Sequence, residues 1–131
     1  MIKVNKKYVS MLWQALSEDP NMNEKYLGMN LNNEDGLNII MSELIAPAFY
    51  NLPGFLQVRC KDSLEFVIYF GSEKDLKRIY ESSVPQFEPP STMSLKEFHL
   101  TLWNYLFPNS QCHDKPKSCY EEVPFSQLYV E

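Results

Sequence analysis

Histidine, cysteine, glycine and positive charge are all scarce in this chain. Two histidines, His99 and His113, leave little scope for imidazole chemistry. Three cysteines, Cys60, Cys112 and Cys119, are an odd number and do not suit a disulfide framework. The glycines number four, and Gly71-Ser72 lacks the further glycines and the lysine of a phosphate-binding loop. No apolar run approaches the roughly 18 residues that a membrane span needs. The longest clean run is Phe66–Phe70. With 12 Lys+Arg against 17 Asp+Glu, the net charge is -5 and the pI about 5.0. Nucleic acid and anionic membrane both demand a cationic face, so neither is expected as the main partner.

What is present is core material. Hydrophobic residues make up 44% and aromatics 14% of 131 residues, which excludes disorder as the overall state. The length fits one domain, 1–131, with 108–131 a less regular C-terminal segment. The N-terminus carries Lys3, Lys6 and Lys7, but the stretch after it is too polar for a secretory segment. With unpaired cysteines as well, a cytoplasmic location is expected.

Hydropathy spacing predicts an amphipathic helix over 4–17, ended by Asp19-Pro20-Asn21. A loop follows to Gly36, with one helical turn around Glu24–Leu27. Leu37, Ile40, Met41, Leu44, Ile45 and Ala48 mark a second helix, capped by Asn33 or Asp35, which Pro47 should bend or end. The runs 55–60 and 64–70 read as a β-hairpin turning at Lys61-Asp62-Ser63, with one core face and one half-apolar outer face. Ser72-Glu73-Lys74-Asp75 and Ser94-Leu95-Lys96-Glu97 are capping boxes. They open helices running to about Ser82 and to Pro108, separated by a proline-rich loop over 84–92. A last strand is expected at 125–130. The class is α+β, with helices packed on a β-hairpin or small antiparallel sheet.

Catalytic and metal chemistry find little support. Cys112 and Cys119 with His113 fit no common zinc spacing, and no cofactor or metal is expected. Free thiols are the expected state; a Cys112–Cys119 disulfide around Pro116 is the open alternative. His99 falls beside the apolar stripe of its helix, as a packing histidine or, in the alternative, a base. The pairs Glu34/Asp35 and Glu121/Glu122 are adjacent in sequence and diverge from each other. Lys3, Lys6 and Lys7 read as a solvated face.

Charge is distributed unevenly. Residues 1–80 hold 10 acids and 9 bases, net -1; residues 81–131 hold 7 acids and 3 bases, net -4. The acidic part also carries Tyr80, Phe87, Trp103, Tyr105, Phe107, Tyr120, Phe125 and Tyr129. Carboxylates that steer and aromatics that anchor suit a binder of a basic protein. The interface candidates are Glu81, Glu88, Asp114, Glu121, Glu122 and Tyr129. Purely structural aromatics with merely solubilising acids are the competing reading.

In size, acidity and absence of a catalytic motif, the whole chain resembles the immunity proteins of bacterial toxin–immunity pairs, including those of contact-dependent growth inhibition. The resemblance is one of type and carries over no residue. It implies a chain that neutralises a cognate toxin, often a nuclease, by occlusion without turnover; a monomer when free is the default expectation. Phage-encoded inhibitors of host defence share this general appearance. The alternative from another class is an adaptor or ligand-binding module using the hairpin's outer face.

Overall fold

A strand at the N-terminus pairs with one near residue 120 in the computed structural model, which describes residues 1–112 and 115–126. Strand β1 (Ile2–Val4) pairs with β2 (Tyr120–Glu122), with Ile2 opposite Tyr120 and Val4 opposite Glu122. The pairing is parallel, where an antiparallel sheet was expected. A parallel pair needs a long crossover, and here almost the whole protein supplies it. Asn5 secures the junction. Its side chain caps α1 (Lys6–Trp13) by accepting from the Lys7 amide at 2.8 Å, and donates to the Val123 carbonyl at 2.7 Å.

After a 3₁₀ turn (Gln14–Leu16) and a second one (Glu24–Tyr26), Asn33 caps α2 (Glu34–Ile40). Pro47 does not end this helix. A π-helical turn (Met41–Ile45) intervenes and the chain runs on into α3 (Ala46–Tyr50), with Pro47 in its first turn. The ring that would strike the carbonyl four residues back is absorbed by the wider turn.

The expected hairpin is instead one continuous helix, α4 (Gly54–Phe70). Its buried apolar and small positions, Leu56, Cys60, Ser63, Leu64, Val67 and Ile68, recur at helical spacing, and Glu65 is buried beside them. Asp62 and Ser63 are turn formers, but Lys61-Asp62-Ser63 holds no glycine or proline to break a helix, and the chain continues through it. Helix α4 is central, packing against α1, α6 and β1, and is therefore apolar over most of its circumference. The half-apolar hairpin face proposed as a docking surface does not exist.

The two capping boxes form as the sequence predicts. Ser72 opens α5 (Glu73–Glu81) with Asp75, and Ser94 opens α6 (Leu95–Leu106) with Glu97. Helices α1, α4, α5 and α6 enclose one core. In it Trp13 stacks on Phe98 at 4.7 Å and meets Tyr80 edge-on at 5.0 Å. The architecture is a small α+β fold in which helices dominate and the sheet is two short strands. Among the described residues no helix is long and apolar enough to cross a membrane.

Candidate functional site

The groove that draws together sequence-selected residues lies between α5, the 84–91 loop and the start of α6. It encloses about 590 Å³. Glu73, Glu81 and Glu88 line it against one cation, Lys77, so three negative charges face one positive and leave -2. The lone cation is itself spoken for, pairing with Glu81 at 3.9 Å along α5.

The walls are fixed rather than pliable. Pro85, Pro89 and Pro90 restrict the loop, which adds a wall of low conformational entropy. Tyr80 is buried beneath it and donates its hydroxyl proton to the Phe87 carbonyl at 2.7 Å. Burial pushes the Tyr80 phenol well above its ordinary pKa, and the charge of nearby Glu88 adds to this. Glu73 binds the first amides of α6, accepting from Leu95 at 2.8 Å and Lys96 at 2.9 Å. That carboxylate therefore ties the two helices that flank the groove.

Val84 is the strained point of the loop. Its φ is +51°, a region that a β-branched residue rarely occupies, and it precedes a proline. Four hydrogen bonds to residues 16–18 and to the end of α5 hold it there. The Glu18 amide donates to its carbonyl at 2.9 Å, and its own amide donates to Glu81 at 3.0 Å. On either side the Gln86 amide reaches the Leu16 carbonyl at 2.6 Å, and the Ser17 hydroxyl reaches Ser83 at 2.6 Å. Yet the Val84 side chain is 60% exposed. Nothing in the core requires an apolar side chain in that position, so core packing does not account for the strain.

Of the six interface candidates, the structure brings two together. Glu81 and Glu88, both exposed, face the same groove. Glu121 and Glu122 are exposed on β2, where Glu121 lies opposite Lys3, and neither lines the groove. Asp114 and Tyr129 lie outside the described residues, as does His113 and most of the strand expected at 125–130; Phe125 and Ser126 form no strand. The expected aromatic anchors are corrected. Tyr80, Phe87, Trp103 and Tyr120 are buried in the core, and Tyr105, Phe107 and Phe125 are half-buried against it. The exposed apolar contribution to the groove comes from Val84, which its sequence context did not single out.

His99 is fully buried, deeper than the core edge expected for it. Its Nε2 accepts from the Trp13 indole N–H at 3.0 Å, so Nδ1 carries the proton and donates to the Leu95 carbonyl at 2.8 Å. Both ring nitrogens are occupied. Burial drives its pKa down to about 4. A ring with no solvent access and no spare lone pair cannot take a substrate proton, which removes the base reading.

A second polar cluster sits under the C-terminal segment. The buried Glu65 of α4 receives Lys115 and, at 3.2 Å, the Tyr120 hydroxyl. Tyr69 donates to the Cys112 carbonyl at 2.7 Å. These contacts strap Cys112, Lys115 and Tyr120 onto α4. Spacing alone missed Glu65 because the hairpin reading sent it to the outer face. All three cysteines are free; burial raises the Cys60 thiol to about 12 and the Cys112 thiol to about 11. Both are poor nucleophiles and metal ligands in that state. No group of three or more His, Cys, Asp or Glu among the described residues is placed to hold a metal.

Comparison with family models, curated proteins and solved structures gives no match. The groove must therefore be read from its own chemistry. It is acidic and proline-walled, with one strained valine at its rim and no cysteine or imidazole among its lining residues.

Proposed function

We propose that this chain is a stoichiometric protein inhibitor of the immunity type, which seats a basic surface of its toxin partner in the groove between α5 and α6. The observation that carries this reading is the convergence of Glu81 and Glu88 on one preformed groove beside an exposed, strained Val84. Carboxylates on a rigid rim speed the encounter with a cationic surface. A prearranged wall reduces the ordering cost of the complex. Inhibition is by occlusion, without turnover, in the cytoplasm where the partner would otherwise act.

Co-expression with the product of the adjacent gene tests this. The expected result is a 1:1 complex of defined mass and loss of the partner's toxicity. A partner that stays toxic in the presence of excess inhibitor contradicts it.

Val84 offers a sharper test. Val84→Gly removes a β-branched residue from a left-handed conformation, which should leave thermal stability equal or raise it by about 1 kcal/mol. Partner affinity should nevertheless fall, because the exposed isopropyl group is lost. A variant that melts like the parent and binds like the parent would remove Val84 from the interface.

A further inference from the structure

We propose that the cleft between α1 and α5, on the side of α5 away from the acidic groove, binds a phosphate-type oxyanion. Lys6 and Lys7 come from the first turn of α1, and Arg78 comes from the last turn of α5, which packs against it. All three line a cleft of about 200 Å³, a volume for one phosphate group rather than a nucleotide. None of the three lies within ion-pair distance of a carboxylate among the described residues.

Asp75 is the one acid that shares the lining. Its carboxylate is already engaged, accepting from the Ser72 amide at 3.0 Å to cap α5. Three positive charges against one negative leave +2 in a protein whose net charge is -5. Local charge of that sign and size is balanced by a dianion better than by a carboxylate. The planar fork of Arg78 suits two oxygens of a tetrahedral anion, and two lysines add point charges beside it. The floor is polar too: the Ser10 and Ser82 hydroxyls stand 2.8 Å apart, both within reach of the Ile79 carbonyl. Their two protons are taken up by that arrangement. The anion is therefore held by the cations, and the serines offer lone pairs to a hydroxyl of the ligand.

Inorganic phosphate titrated into the isotope-labelled protein at constant ionic strength tests the assignment by amide chemical shift. The expected result is saturable shifts confined to residues 6–10 and 75–82. Arg78→Gln should weaken binding about tenfold, and Lys6→Gln with Lys7→Gln should do the same. Asp75→Asn should tighten it severalfold, because the opposing charge is lost while the amide oxygen still caps α5, a gain that a purely structural role would not give. A parallel titration with ribose 5-phosphate separates sources: tighter binding than inorganic phosphate assigns a phosphomonoester, equal binding assigns the free ion. Shifts that stay linear, appear equally with chloride, or persist unchanged in Arg78→Gln overturn the proposal.

Discussion

Acidification from pH 7 to pH 4 is expected to remove on the order of 3 kcal/mol of folding stability through His99 alone. In the unfolded chain this imidazole takes up its proton near its ordinary pKa of 6.5; in the folded protein that pKa is about 4. Between those values the unfolded state binds the extra proton, so stability rises with pH and falls as acid is added. The cause is geometric. Protonating Nε2 would set an N–H against the Trp13 N–H, 3.0 Å away in the core. Asp75 and Glu43, whose carboxyl pKa values are lowered by hydrogen bonds to Ser72 and Lys25, lose their contributions in a lower window, below the ordinary carboxylate range. Asp62 acts in the opposite sense, since burial raises its pKa and acid relieves that penalty. Urea unfolding at half-unit pH steps checks the account. The parent should lose stability between pH 6.5 and 4; His99→Leu should be less stable at pH 7, with an unsatisfied Trp13 donor, and nearly flat across that window. A parent curve that is flat above pH 4.5 would show that His99 is not held neutral.

Reversing two charges at the groove is expected to slow partner association about tenfold at low salt. The variant is Glu81→Lys with Glu88→Lys. It changes the groove from three acids and one base to one acid and three bases, a swing from -2 to +2. Both side chains are exposed, so folding should survive. Raising the ionic strength should slow the parent and leave the variant less affected, because the steering field is screened over about 8 Å at physiological salt. The matched control, Glu121→Lys with Glu122→Lys, changes net charge by the same amount on β2 and should keep more of the parent rate. Equal slowing in both variants would mean that net charge alone steers the encounter. An unchanged rate in the groove variant would take Glu81 and Glu88 out of the interface.

Local signals carried much of this fold. Both capping boxes, the Asn33 cap, the stop at Pro108 and the irregular 84–92 loop depend on residues within a few positions of one another, and the sequence displays them directly. Helix α4 was misread for a physical reason. A central helix packed on several sides loses the polar stripe that marks a helix, and its run Leu64, Phe66, Ile68 and Phe70 then mimics strand alternation. The absence of glycine, proline and asparagine from Lys61-Asp62-Ser63 was the available counter-signal. The β1–β2 pair joins residues 118 positions apart, and no local pattern encodes such a partner.

The site was half legible. Acid content in the second part of the chain points to Glu81, Glu88, Glu121 and Glu122 alike, and charge counting cannot show which of them share a groove. The role of Glu73 as a tie between α5 and α6 depends on tertiary contact. The strain at Val84 is set by hydrogen bonds to residues 16–18, far away in sequence.

Hydrogen exchange on the 1:1 complex, compared with the free chain, addresses the central claim most directly. Protection gained on binding should concentrate in residues 77–91, spanning the end of α5 and the proline-rich loop, with β2 unchanged. Protection confined to 120–122, or spread elsewhere while 77–91 exchanges as in the free protein, would contradict the groove as the inhibitory surface.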